Sequence, residues 1–411
     1  MIIKKNCYFL DRPLLVALVI AIWWTGWVVF ALSGDRFIPP TMVSSLVFSF
    51  SATLLIVTAL FTLITNDPAG DKNNYFNPLD GSKYPLFKIQ LIFLVYFLAF
   101  ICIPAILKDP FGYRMNTFFD HSKGIESVIF YSPFWQLIFE LIYLYIPMSF
   151  CIISAFTGNV KFFKYTAILL IGYAMVTLSR GLYLSILMLY MLMPQRKKKL
   201  ALFCVLIAAL VFLIPDYIKY YTLGFSLLEK FLTDTGFIDP TIQRGGRFFT
   251  FGGLIWPVFS LFRSLVPDFF TDYEIASRML SSMVDIGLYD SVLYNAFYTF
   301  LIAPIYDLGF LGPVMLAVMI SFLLLYLSRI RSVFISRAGL GYLFSISMSG
   351  VQMNSLGDRE IIVFIGILLY FHFKYKKQFC AYGENLVMNQ KLDKRKLRNP
   401  AQWLVISKRL S

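Results

Sequence analysis

The 411-residue chain is 58% hydrophobic and 18% aromatic, with a mean hydropathy of +0.70, well above the roughly 45–50% apolar share of a soluble domain. That composition excludes a soluble globular enzyme and predicts one polytopic membrane domain, whose outer surface is covered by lipid. The net charge of +14 does not point to nucleic acid, because ten Lys or Arg against two acids fall in residues 374–411 and carry +8 of the excess; a basic tail after the last apolar run is an anchor on anionic membrane lipid.

A span needs about 20 mostly apolar residues. In chain order the qualifying runs are 14–33, 41–65, 89–107, 134–156, 200–215, 308–327, 339–353 and 360–373. The first run follows Lys4, Lys5 and Arg12 without a convincing small-residue cleavage site, so it reads as a retained span. The run from Tyr165 to Met193 is too long for one span and has basic residues on both flanks, Lys161 and Lys164 before and Arg196 to Lys199 after. A hairpin of two short helices folding at Ser179-Arg180-Gly181 puts both flanks on one side, and the total becomes about ten spans. Trp23, Trp24, Trp27, Tyr143 and Tyr145 read as interfacial aromatic belts.

The positive-inside rule then orients the chain. Lys4/Lys5/Arg12, Lys72/Lys83/Lys88, Lys161/Lys164, Arg196 to Lys199, Arg329/Arg331/Arg337 and the tail fall on one side, and basic residues are sparse on the other. Both termini are expected in the cytoplasm and the long segment 215–309 outside. Residues 1–373 thus form the transmembrane domain and 374–411 a basic cytoplasmic tail. The absence of a repeat between the two halves argues against an inverted-repeat transporter. The five cysteines suggest no disulfide framework or zinc site, and no GxxxxGK[ST], GxGxxG or exterior DxD-like pairing occurs, so no cofactor and no metal is expected.

The long segment holds most of the candidate chemistry. Its centre, Asp239 to Arg247, sets Arg244 and Arg247 three residues apart around a Gly pair, a pattern that can offer guanidinium forks and backbone N–H groups to a pyrophosphate, or simply form a solvated turn against headgroups. Phe248 to Phe270 reads as short aromatic helices on the outer interface, a shelf for a lipid-linked substrate. Ile275 to Tyr306, with Arg278, Asp285 and Asp290 among apolar residues, reads as one or two amphipathic helices. Arg180, at the hairpin tip with no acid nearby in sequence, is either a cavity-facing charge or a snorkelling one. His121 is the one exterior histidine and could act as a base near neutral pH or be incidental.

At Tyr294-Asn295-Ala296-Phe297-Tyr298-Thr299-Phe300-Leu301, then Pro304-Ile305-Tyr306-Asp307-Leu308-Gly309 and Gly312, the chain resembles the O-antigen polymerases, which join oligosaccharide repeat units. In that family a Tyr-Asn-x-x-Thr-like segment runs through a Tyr-x-Asp-x-Gly-x-x-Gly-like turn into the span after the large exterior loop. The resemblance covers most of residues 90–373. It implies an all-α, GT-C-like membrane fold of about ten transmembrane helices with one large periplasmic loop, in the bacterial inner membrane. It also implies a metal-independent glycosyltransferase acting on undecaprenyl-pyrophosphate-linked oligosaccharide, with a chain-length regulator protein and a flippase as partners.

Departure of a lipid pyrophosphate develops negative charge that Arg180, Arg244, Arg247 and Arg278 could stabilise. Asp307, then Asp285 and His121, are the candidates for taking the acceptor proton; an Asp before a helix is also an ordinary cap. Two alternatives stay open. One is the related O-antigen ligase, which uses an exterior Arg and His to pass the glycan to the lipid A core; the other is a non-enzymatic lipid-linked oligosaccharide flippase or another transporter.

Overall fold

The computed structural model describes residues 9–34, 38–65, 78–79, 86–109, 138–177, 180–193, 215–234, 283–285, 293–295, 300–301, 304–305, 308–330, 332–350 and 360–375. The helices are α1 (Pro13–Leu32), α2 (Thr41–Thr65), α3 (Phe87–Lys108), α4 (Ile138–Thr157), α5 (Val160–Thr177), α6 (Arg180–Leu192), α7 (Pro215–Asp234), α8 (Gly312–Arg329), α9 (Val333–Ser349) and α10 (360–375). Two three-residue strands, β1 (Met283–Asp285) and β2 (Leu293–Asn295), lie between α7 and α8. Among the described residues, six helices are long and apolar enough to cross a bilayer: α1 to α5, and α8 with the 3-10 turn that leads into it. The chain is a helical membrane protein.

The helices run in alternating directions, and side-chain contacts show which ends meet. Asp11 pairs with Arg337 of α9 at 2.8 Å. Phe334, also in α9, meets Phe371 of α10 with ring centroids 5.4 Å apart, and Phe371 lies 6.1 Å from Phe150 of α4. The start of α1, the start of α9 and the end of α10 therefore share one end of the bundle. At the opposite end the N–H of Phe300 donates to the Gly350 carbonyl at 2.8 Å.

The hairpin read from the two basic flanks is present. Phe163, near the start of α5, and Tyr190, near the end of α6, have ring centroids 5.9 Å apart, so the two helices fold back on each other. The turn before α5 is tighter than the run lengths suggest. Gly158 adopts a left-handed φ of 80°, and the Asn159 side chain accepts from the Phe162 N–H at 3.0 Å. Helix α5 thus starts at Val160, and Lys161 and Lys164 are exposed in its first turns.

Both π-helical turns have the same cause. The Ile103 N–H reaches back five residues to Leu98, and the Ile146 N–H to Leu141, each one residue before a proline, Pro104 and Pro147. A proline ring collides with the carbonyl four residues back, and the wider turn relieves that clash. In α4 the wide turn brings Tyr145 over Glu140, whose carboxylate accepts the phenol at 3.1 Å.

Several expectations need correction. Helix α9 starts at Val333 rather than near 339, because the Ser332 hydroxyl caps the Ile335 N–H and Arg337, one turn in, is neutralised by Asp11 through two hydrogen bonds. Trp24 is not a belt residue: it is fully buried, and its indole N–H donates to the Ser347 carbonyl at 2.7 Å. Tyr143 is likewise buried, donating to the Gln90 carbonyl at 3.2 Å. Within Ile275 to Tyr306, residues 283–285 and 293–295 form an antiparallel hairpin instead of amphipathic helix, with Val284 opposite Tyr294; β-branched and aromatic residues favour such a cross-strand pair. The apolar run 200–215 lies outside the described residues up to Pro215.

The long segment does not begin as loop. Helix α7 packs against α1 and α2, and Thr222 through Glu229 are buried without a break. Glu229, 2% exposed, accepts from the Thr41 hydroxyl at 2.9 Å and from the N–H groups of Met42 and Val43 at 3.0 and 2.9 Å. The first N–H groups of a helix have no partner within it, and a carboxylate there also suits the helix dipole. Removing this cap should cost about 2–3 kcal/mol. Glu229→Ala is expected to lower the thermal midpoint of the detergent-purified protein clearly, with Glu229→Gln intermediate; an unchanged midpoint for the alanine variant would show that α7 is not held this way.

Candidate functional site

The segment that carries the family resemblance is built into the Gly350 end of the bundle. Phe300 and Leu301 are fully buried. The Phe300 ring stands 4.7 Å from Trp24 and 6.0 Å from Phe50, while its N–H holds the Gly350 carbonyl. A side chain at Gly350 would collide with the Phe300 ring. Trp24 also meets Phe225 of α7 at 5.9 Å. One buried indole therefore joins α1, α2, α7, α9 and the resemblance segment.

The two glycines of the Gly-x-x-Gly turn have separate structural reasons. Gly309 sits at φ 61°, a left-handed conformation that favours glycine. Gly312 opens α8, where an added Cβ would overlap the carbonyl group of Pro304 and press on the Ile305 N–H. Ile305, 1% exposed, is itself tied back to the Leu301 carbonyl at 3.1 Å. The chain thus doubles on itself between Leu301 and Gly312 before entering the span.

Of the sequence-derived candidates, Asp285 ends β1 directly opposite Leu293, and its strand neighbours Val284 and Met283 lie opposite Tyr294 and Asn295, the first residues of the resemblance. Arg180 opens α6 at the hairpin tip, and Leu182, in the same turn, packs on the cluster that contains Tyr173 and Val176. Asp307, His121, Arg244, Arg247 and Arg278 lie outside the described residues. Within the described set, then, only Asp285 is brought to the resemblance segment, and Arg180 belongs to the α4–α5–α6 corner. Among the described residues no three metal-ligating side chains gather.

That corner also holds a buried acid, Glu140. Glu140 is 8% exposed inside a span, where an ionised group needs hydrogen bonds or a partner. Tyr145 supplies one hydrogen bond, and the Phe139 ring beside it stacks on Tyr173 at 5.8 Å. The available signal was one acid within the apolar run 134–156. Gln90, on the facing helix α3, is also buried, and its side-chain oxygen has no hydrogen-bond partner among the described residues.

Backbone overlap at Gly312 cannot be relieved by a rotamer change, so Gly312→Ala should destabilise the α8 entry by about 3 kcal/mol or more. The expected result is loss of the monodisperse peak in fluorescence-detected size exclusion, whereas Gly26→Ala, where an added Cβ meets nothing within 4 Å, should leave it intact. A normal peak for Gly312→Ala would contradict the close approach.

No protein-family model, no curated protein and no solved structure matches the chain.

Proposed function

We propose that the protein is an O-antigen polymerase, a glycosyltransferase of lipopolysaccharide or related surface-polysaccharide synthesis. It extends undecaprenyl-pyrophosphate-linked oligosaccharide at the periplasmic face of the bacterial inner membrane. The observation that carries this reading is the construction of the resemblance segment. Phe300, Leu301, Ile305, Gly309 and Gly312 are each locked at one end of the bundle, on rigid support of the kind a catalytic group needs.

The proposed architecture is GT-C-like with about ten spans, counting the hairpin twice and the run 200–215 once. Both termini are cytoplasmic, so the Gly350 end of the bundle and the segment 215–309 face the periplasm. The meeting of the start of α1 and the end of α10 at one end of the bundle supports termini on a common side.

In the reaction, an acceptor hydroxyl on the nonreducing end of one lipid-linked repeat unit attacks the anomeric carbon of the glycan carried by another. The new carbon–oxygen bond forms as the bond to pyrophosphate breaks, and the electron pair leaves with undecaprenyl pyrophosphate. Arg180, Arg244, Arg247 and Arg278 are the proposed partners of the departing charge. Arg180 opens α6, and the start of a helix favours an anion. Asp307, with Asp285 and His121 as further candidates, takes the acceptor proton. A chain-length regulator and a flippase are the proposed protein partners.

Deletion of the gene should leave surface lipid carrying one repeat unit. Undecaprenyl-linked polymer that never reaches the surface lipid would indicate a ligase, and loss of any exported unit a flippase. In the complemented strain, Arg180→Ala and Arg247→Ala should each shorten the glycan ladder at unchanged protein level, with a loss of roughly tenfold or more in elongation, as for removal of a group that stabilises transition-state charge. Unchanged chain length would remove that arginine from the site.

A further inference from the structure

Outside the proposed catalytic region, the described surface carries an open groove of about 420 Å³ on the bilayer-facing side of α1, lined by Ile22, Trp23, Gly26, Trp27, Phe30 and Met348. Its volume falls in the range of small-molecule sites. From Val19 to Phe30 the helix climbs about 16 Å, so the groove runs along the outer half of the span toward the Gly350 end. We infer that it holds the isoprenoid tail of the lipid-linked glycan; this rests on the function proposed above.

The walls are fixed before any ligand enters. The Trp23 indole N–H donates to the Met348 carbonyl at 2.9 Å. Trp23 and Trp27 meet edge to face at 5.5 Å, and Trp27 and Phe30 do the same at 6.0 Å. The groove wall is apolar, and the Trp23 donor is already spent on the Met348 carbonyl. The position within a span leaves hydrocarbon as the matter available to fill it.

A second membrane helix fits poorly. Close helix pairing in lipid needs small residues four apart, and Gly26 has Ile22 and Phe30 at those positions. A thin chain can instead lie over Gly26, where an added Cβ would meet nothing within 4 Å. A methyl-branched chain fills that notch with contacts a straight acyl chain leaves unmade. The groove is also continuous with the proposed site: Met348, its wall, is two residues from Gly350, whose carbonyl holds the resemblance segment through Phe300. A tail lying here would bring its pyrophosphate head to the end of the bundle where that segment turns.

The test uses full-length protein in nanodiscs and a polyprenyl phosphate carrying a photoreactive group in its tail, with labelled peptides identified by mass spectrometry. Labelling should concentrate in residues 19–30, fall with excess unlabelled polyprenyl phosphate, and persist in excess phosphatidylglycerol. Gly26→Trp and Gly26→Leu fill the groove from a position open to lipid and should lower labelling by at least about tenfold, the loss of about 1.4 kcal/mol of binding, while Gly26→Ala should not. Labelling confined to other helices, equal competition by phosphatidylglycerol, undiminished labelling in Gly26→Trp, or photocrosslinked dimers through α1 would each overturn the inference. Because labelling needs no turnover, a deletion strain with a normal glycan ladder would sink the polymerase reading alone, and absent labelling would sink the groove alone.

Discussion

Inside a bilayer a backbone N–H or C=O that lacks a partner costs several kcal/mol, and two helix ends in this protein meet that demand through distant residues. At the end of α9, the carbonyls of Ser347, Met348 and Gly350 accept from the Trp24 indole, the Trp23 indole and the Phe300 N–H. At the start of α2, the N–H groups of Met42 and Val43 receive Glu229. These links join the first span, the ninth helix and both margins of the long segment into one end of the bundle. Everything proposed about chemistry depends on that end being rigid.

The same arrangement explains why a segment that looks polar in sequence belongs to the protein interior. Helix α7 enters the bundle because its Phe225, Leu227 and Leu228 have an apolar bed around Trp24, and its buried Glu229 has a helix terminus to cap. The return path is held just as firmly, by Phe300 against Trp24 and Phe50 and by the backbone contact of Gly312 with Pro304. Between those two anchors lies the stretch that bears Arg244, Arg247, Arg278 and Asp285.

Six spans were legible because apolar length is a direct reading of bilayer thickness, and the hairpin because both its flanks are basic. The links that organise the bundle were not, since Trp24 and Ser347 are 323 residues apart, Asp11 and Arg337 326, and Thr41 and Glu229 188; no local pattern announces such pairs. Trp24 and Tyr143 were misread for a related reason. An indole or phenol within a span has the same composition signal whether it faces headgroups or a partner helix's carbonyl, although Trp24 stands near the middle of α1. In the candidate site, the glycines of the resemblance acquired physical causes, whereas Asp285 changed element: residues 283–285 pair with 293–295 as antiparallel strands, and three-residue strands are too short to stand out from helical spacing in the sequence. Glu140 went unweighed because it is a single acid in an otherwise apolar run.

Reconstitution gives the most direct access to the central claim. Purified protein in liposomes, supplied only with synthetic undecaprenyl-pyrophosphate-linked repeat units, should produce a ladder of lipid-linked oligomers and release one undecaprenyl pyrophosphate for each bond formed, without added nucleotide. Folded protein that leaves the lipid-linked units monomeric, or only moves them across the bilayer, would contradict polymerase activity.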